Sequence, residues 1–155
     1  MLAYWGNNGL NMLDSSASAQ ARIAVEAIGG GGGLFSSRLV PRYLDTDPPA
    51  AAVGWMETDA NEAGSELDAK SETVRIVTSE ERTVAEPSRT QVKLIVERRT
   101  EKVRGCVIVG NGAAEVINLA ALAIQSGVTT GELERLFLVH PSVSVALQRC
   151  AAKFR

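Results

Sequence analysis

The stretch QVKLIVERRTEKVRGCVIVGNGAAEVI, residues 91–117, decides the fold. Its first residues alternate between apolar and polar types, a polar run follows from Arg99, and the stretch is apolar again from Val103. Strand-like segments on both sides of a short polar segment are typical of two neighbouring antiparallel strands. The sequence therefore predicts a hairpin over residues 91–109.

A helix is expected directly after this hairpin. Gly110 and Gly112 end the second strand, and an apolar segment then runs through Ile124 until Gly127 stops it. Apolar residues occupy nearly every side of this helix, which is typical of a helix covered on most sides. We expect it to be the core helix of the domain.

Weaker patterns place further elements on either side. The Thr-x-x-Glu sequence from Thr129 predicts a capping box and a helix toward Leu138, and Ser142 is expected to cap a last helix that ends near Phe154. Upstream, a helix is predicted from Asp14; Ser15, Ser16 or Ser18 is expected to cap it, and Gly29 stops it. Strands are predicted at 52–56 and 73–78, with a helical turn between them that Thr58 or Asp59 caps. Strands followed by helices predict an α+β fold, an antiparallel β-sheet with helices packed on it.

Three segments differ in composition. Residues 1–13 show neither strand nor helix periodicity and form a leader without a recognisable pattern. Gly29–Gly33 is a run of five glycines, which favours a flexible linker over a phosphate-binding loop because no Lys-Ser/Thr pair or helix start follows it. We therefore expect a domain boundary there, with the main domain over 34–155.

Length, charge and hydropathy narrow the function classes. The chain of 155 residues suffices for one domain with its own core, and a formal charge of −2 gives no electrostatic reason to expect nucleic acid or a membrane as partner. The most apolar segment, 113–124, is shorter than the roughly 18 residues of a membrane-spanning helix. No secretory signal pattern is present, so we expect a cytoplasmic location in which Cys106 and Cys150 are thiols.

Candidate chemistry is sparse. Residues 110–115, Gly-Asn-Gly-Ala-Ala-Glu, lie where a dinucleotide-binding fingerprint would lie, but Glu115 replaces its third glycine and a helix, not a parallel strand, is expected next. The single histidine, His140, has no catalytic partner in its own motif, and by itself such a residue is more often structural. Cys106 and Cys150 are too far apart in sequence for a metal motif or a redox pair, so we expect no metal and no cofactor bound by this chain.

Several segments in order nevertheless resemble the C-terminal dimerisation domain of the pyridine nucleotide-disulfide oxidoreductases, the family of glutathione reductase, dihydrolipoamide dehydrogenase and mercuric reductase. The segments that carry the resemblance are Val92–Val96, Val103–Gly110, Ala113–Ile117 and His140-Pro141-Ser142. Upstream, residues 40–54 are similar to the entry into that domain, and residues 14–33 to the last helix of the flavin domain with a glycine linker. The resemblance covers about residues 14–155.

The resemblance implies a role in a flavoprotein dimer. His140 would exchange a proton with an active-site thiol of the other subunit, and full-length members use FAD and NAD(P) in cell redox homeostasis. The family glutamate that orients this histidine is replaced by Val145, which accepts no hydrogen bond. FAD, NAD(P) and redox-cysteine motifs are absent, so the resemblance implies a truncated or split subunit that is not catalytic alone and that forms a homodimer or binds a longer homologue.

Two alternatives remain open. The domain could be a non-catalytic homo- or hetero-dimerising interaction module, a role consistent with Val145, and replacing His140 would then change nothing measurable. The leader of residues 1–13 is also what a frameshifted reading frame would produce, and flavin-domain codons would then lie just upstream.

Overall fold

The computed structural model describes residues 13–33, 35–62, 66–75 and 89–155. Contacts within the chain divide it after Val40 into two compact units, Met1–Val40 and Pro41–Arg155. The first unit contains helix α1, Asp14–Ile28, and a short 3₁₀ turn, Ser37–Leu39. All strands and the remaining helices belong to the second unit.

The start of α1 differs from its prediction. Leu13 is the N-cap residue, and no side chain caps the helix. Ser15, Ser16 and Ser18 lie inside the helix, so the predicted serine caps are wrong. A serine in that position cannot reach the free amides of the first turn, and the Ser16 hydroxyl instead accepts a hydrogen bond from the Gln20 side chain at 3.3 Å.

The end of α1 agrees with the prediction. Gly29 is the C-cap residue, and the next two glycines close the helix by backbone hydrogen bonds. The amide of Gly31 donates to the carbonyl of Glu26 at 2.9 Å, and that of Gly30 donates to Ala27 at 3.2 Å. These are the two bonds of a Schellman motif, in which carbonyls of the last helical turn find partners beyond the helix.

The second unit is built on a five-stranded sheet in the order β1-β2-β5-β4-β3, and every neighbouring pair is antiparallel. The strands are β1, Arg42–Leu44; β2, Ala50–Gly54; β3, Leu67–Arg75; β4, Arg89–Glu97; and β5, Val103–Val109. The predicted hairpin is β4 with β5, which pair from Gln91 with Val109 to Val96 with Val103. The α+β fold predicted from the sequence is therefore confirmed.

One face of this sheet is the core. Residues directly opposite each other on neighbouring strands point to the same face, so a buried row across three strands defines that face. Two such rows are Val92–Ile108–Ala51 and Leu94–Cys106–Val53, and each of these side chains is at most 3% exposed. Full burial of a side chain such as Leu94 contributes about 1.5–3 kcal/mol.

Helices cover the core face. Helix α3, Ala113–Gln125, contacts β2 and β5, while α5, Val145–Ala151, contacts β3 and β4. Between them, α4, Thr130–Glu134, packs on α5. The prediction that α3 is covered on most sides is confirmed, since only a stripe through Glu115, Asn118 and Leu122 is exposed along most of its length.

The upstream strands were predicted less accurately. The first predicted strand is β2, which lies two residues earlier than expected, and the second is β3, which already begins at Leu67. Residues 76–78 of that prediction lie outside the described residues. Strand β1 was not predicted; it is three exposed residues at the edge of the sheet that pair with β2, and so short a strand has no periodicity to detect.

Two helix caps also differ from their predictions. Helix α2, Glu57–Glu62, begins before Thr58, so neither Thr58 nor Asp59 is its N-cap; Asp59 instead accepts a hydrogen bond from the amide of Met56 at 2.8 Å. Helix α5 has Ser144 as N-cap without a side-chain bond. The predicted Ser142 cap is wrong because α5 starts three residues after it, and the amide of Val145 bonds to the carbonyl of Ser142 instead.

Candidate functional site

The ten residues between α4 and α5, residues 135–144, form what we call the α4–α5 loop. The sequence predicted helix as far as Leu138, but α4 ends at Glu134. Three large apolar side chains of this loop face solvent: Leu136 is 39% exposed, Phe137 104% and Val139 79%. Single exposed apolar residues are ordinary, but three within four positions make this loop a candidate interaction surface.

His140 follows this apolar segment directly. Its side chain is exposed, and it enters Pro141 through a cis peptide bond. Within the described ranges, its imidazole has neither a hydrogen-bond partner nor an ion-pair partner. Val145 stands where the family resemblance expects the residue that orients this imidazole. It is a half-buried hydrocarbon side chain at the start of α5. The imidazole is therefore accessible, and no side chain in the described ranges holds it.

The hydroxyl of Ser142 lies two positions after this histidine. It is buried and, among the residues that the structure describes, has no hydrogen-bond partner. A buried hydroxyl without a partner is uncommon in folded proteins, because its desolvation is not compensated.

Two contacts fix the ends of the α4–α5 loop. At its start, the side-chain amide of Gln148 on α5 donates to the carbonyls of Glu134 and Leu136, each at 2.8 Å. Near its end, Val143 packs against Gly112, where a Cβ would lie 3.0 Å from the nearer Val143 methyl carbon. The loop is thereby anchored to α5, α4 and the start of α3.

The glycine-rich turn before α3 is occupied by protein. Gly110 and Gly112 have φ angles of 125° and 77°, which favour glycine, and a Cβ at Gly110 would lie 2.5 Å from the carbonyl oxygen of Arg89. Val143 covers the backbone of Gly112, so a pyrophosphate could not approach the start of α3 as it does in a dinucleotide site. This turn does not fit FAD or NAD(P).

The two cysteines do not form a reactive pair. Both side chains are buried and both are free thiols. Burial raises the pKa of Cys106 far above its usual range and that of Cys150 to about 11. The Cys150 thiol donates to the carbonyl of Lys70 at 3.2 Å. Reactive cysteines require a lowered pKa and access, and these have neither.

Polar clusters elsewhere stabilise turns. Glu97 accepts hydrogen bonds from the Thr100 hydroxyl at 2.6 Å and from Arg104 at 2.6 Å, and these lower its pKa. At α4, the predicted capping box is present: Thr129 and Glu132 bond reciprocally, and the Thr129 bonds lower the pKa of Glu132. Over the described ranges there is no cluster of three or more potential metal ligands, and no helix there is long and apolar enough to cross a membrane.

A comparison with known protein families identifies the family of this chain. The profile of the pyridine nucleotide-disulphide oxidoreductase dimerisation domain matches residues 40–151. The chain belongs to this family. The family resemblance seen in the sequence is thus confirmed, and the domain corresponds to one region of a larger oxidoreductase.

Curated relatives of this dimerisation domain are much longer than the chain. The mitochondrial dihydrolipoyl dehydrogenase of Sus scrofa is 32% identical over 145 residues, which are 92% of this chain and 28% of the relative. The Mus musculus enzyme of the same name is 31% identical over 137 residues, 88% of this chain and 26% of its own length. The chain therefore matches little more than a quarter of these enzymes.

Solved structures show the same relationship. LpdA from Mycobacterium tuberculosis superposes with a TM-score of 0.79 at 30% identity, over 95% of this chain and 32% of that one. A NAD-dependent persulfide reductase from A. fulgidus gives a TM-score of 0.67 at 26% identity, over 88% of this chain and 26% of that one. The dimerisation-domain fold is thereby shown.

Sequence reasoning pointed to His140 but not to the surface beside it. Leu136-Phe137-Leu138-Val139 is an unbroken apolar run, a pattern typical of a buried strand or helix segment, so the sequence contained no signal for an exposed loop. Gln148 carried no signal, because a glutamine in a helix is usually a solvated residue.

Proposed function

We propose that this domain associates with a second family subunit through the α4–α5 loop and presents His140 to that subunit's redox centre. The observation that carries the proposal is the exposed apolar run, Leu136, Phe137 and Val139, directly before the exposed histidine. Membership of a dimerisation-domain family supports a subunit as the partner. The partner would be a second copy of the chain or a longer homologue.

Energetics favour this loop as a contact. Removing a large apolar side chain from water contributes about 1.5–3 kcal/mol, and aromatic residues are enriched among those that dominate interfaces. Phe137 is fully exposed, so its whole side chain is available to a partner.

The chemistry follows from the position of the imidazole. In the oxidoreductase role, His140 would take the proton of a partner thiol, which leaves a thiolate and an imidazolium, and would return that proton at the end of the cycle. The FAD and NAD(P) that the resemblance implies would not be held by the Gly110–Gly112 turn, because that turn does not fit them. A cytoplasmic role in cell redox homeostasis is part of this proposal.

One observation favours a second function, a non-catalytic interaction module. Val145 stands where the family glutamate is expected, and no described side chain orients the imidazole of His140. Without an orienting acceptor, proton transfer loses the fixed geometry on which general acid–base catalysis depends. Association through the loop would be retained in this case, and replacing His140 would leave it unchanged.

Sedimentation velocity over a range of protein concentrations tests association. We expect the wild-type chain to form a dimer, and Phe137→Asp to weaken it at least tenfold, because burying an aspartate in an apolar contact costs more than the roughly 1.4 kcal/mol that a factor of ten represents. The matched control is Leu122→Asp on α3, a side chain that is 60% exposed but lies outside the loop. A monomeric wild type, or equal effects of both substitutions, would contradict the proposal.

The absorption spectrum of N-terminally tagged protein from its native cells separates the two functions. Visible flavin bands in the purified complex would support the oxidoreductase role, and reduction of the flavin by a dithiol substrate should then slow in His140→Gln. A colourless dimer would support the interaction module. Retention of flavin with unchanged turnover in His140→Gln would refute the proton-transfer role of His140.

A further inference from the structure

We propose that Gln148 is a positioning residue, which holds the α4–α5 loop in the conformation that meets the partner subunit. The inference rests on the proposed function, in which this loop is the contact surface. Its basis is a pair of hydrogen bonds from one side chain on α5 to the carbonyls of Glu134 and Leu136, each 2.8 Å long.

Both hydrogen-bond partners of the Gln148 side chain are carbonyl oxygens. Only the NH₂ end of an amide can donate, and it has two hydrogens, so both are used and the orientation of the amide is determined by its partners. One bond joins α5 to Glu134, the last residue before the loop, and the other joins α5 to Leu136, the second residue of the loop. The glutamine therefore fixes the direction in which the chain leaves α4.

The same side chain supplies hydrogen-bond partners at the end of α4. The helix closes with bonds of the 3₁₀ type, from the amides of Arg135 and Leu136 to the carbonyls of Glu132 and Leu133, and it stops at Glu134, four residues short of the sequence prediction. The carbonyl of Glu134 then accepts a hydrogen bond from the Gln148 side chain. Unpaired carbonyls at a helix end need such partners, and here the partner comes from the next helix.

The exposed part of the loop has little else to hold it. In the described parts of the chain, residues 137–141 form no hydrogen bond, and the next backbone bond is that from Val145 to the carbonyl of Ser142. The other anchor, Val143 against Gly112, lies beyond His140 and is a van der Waals contact. Gln148 is thus the polar anchor on the side of Phe137 and Val139.

Loss of this anchor should weaken association more than it weakens the fold. The loop would sample more conformations, and each would have to be reordered on binding, which lowers the apparent affinity in proportion to the competent fraction. Two ordinary hydrogen bonds hold the start of the loop. We expect the dimer dissociation constant to rise about tenfold when both are removed, which corresponds to roughly 1.4 kcal/mol.

The test compares Gln148→Met, which keeps the length of the side chain but has no donor, with Gln148→Arg, which keeps planar N–H donors. Gln125→Met, on the exposed end of α3, is the matched control. Three quantities are measured on the full chain: the dimer dissociation constant, the urea midpoint, and amide hydrogen exchange at the start of the loop, where Arg135 and Leu136 donate to the carbonyls of Glu132 and Leu133.

We expect faster exchange and weaker association in Gln148→Met, substantial recovery of both in Gln148→Arg, and wild-type behaviour in Gln125→Met. Unchanged exchange in Gln148→Met would overturn the positioning role whatever the oligomeric state. Faster exchange with unchanged association, or a defect that Gln148→Arg does not restore, would also overturn it. Failure of the dimer proposal is recognised separately, since the wild type would then be monomeric while the exchange experiment still reports on the loop.

Discussion

Replacing Gly112 with alanine should destabilise the domain by about 1–2 kcal/mol. The φ angle of Gly112 is 77°, a conformation that costs an alanine about 1–2 kcal/mol. The new methyl would also lie 3.0 Å from a carbon of Val143, a stiff β-branched side chain, and such overpacking adds about 1 kcal/mol. The smaller entropy of the unfolded alanine chain offsets about 0.5–1 kcal/mol of this cost.

Urea unfolding followed by far-UV circular dichroism measures this change. Protein concentration must be held constant, because association with a second subunit adds to the apparent stability. The control is Gly131→Ala in α4, where φ is not positive and the nearest atom to a new Cβ is the flexible end of Arg135 at 3.6 Å. That substitution should stabilise the domain by about 0.5–1 kcal/mol, because alanine favours the helix.

Two further variants separate the causes. Asparagine tolerates the left-handed conformation, so Gly112→Asn retains mainly the contact with Val143. Combining Gly112→Ala with Val143→Ala removes that contact and leaves the backbone cost. If Gly112→Ala were as stable as the wild type, or if the double variant showed no coupling between the two sites, our account of this turn would be wrong.

Two further predictions concern the pH dependence of stability and the reactivity of the two cysteines. Because the pKa values of Glu97 and Glu132 are lowered on folding, their stabilisation is complete above the ordinary glutamate pKa of about 4.3 and is lost as the pH falls through the folded values. At pH values below about 4.3, the urea midpoint of the wild type should therefore fall, and it should fall less in the variant that combines Glu97→Gln with Glu132→Gln. An equal fall in the wild type and the variant would exclude these two groups as the cause. Because burial raises their pKa values, Cys106 and Cys150 should resist iodoacetamide at about pH 8 in the native chain and react in urea, and mass spectrometry showing native labelling would contradict their burial.

The parts of the fold that sequence predicted well are those whose determinants are local. Alternation and two glycines sufficed for the β4–β5 hairpin and for α3. The capping box of α4 was predictable because Thr129 and Glu132 lie three residues apart.

The parts that were missed depend on contacts distant in sequence. Strand β3 begins at Leu67, which is followed by Asp68-Ala69-Lys70, three residues of weak strand propensity. It forms because it pairs with β4 over nine positions. Helix α4 ends before Leu138, and the carbonyl of Glu134 at its end bonds to Gln148, fourteen residues later, a contact that no local pattern reveals. The resemblance identified His140, but the surface around it follows from this tertiary contact.

The position of β5 between β4 and β2 has a consequence for the order of folding. Its pairing with β4 closes a turn of a few residues, whereas Val53 on β2 pairs with Cys106, 53 positions later. Closing the longer loop costs more chain entropy, so the hairpin and α3 should form the nucleus and β2 should join afterwards. During synthesis, β2 leaves the ribosome with only the short strand β1 beside it, and its other edge remains unpaired until the chain has been extended past Val109.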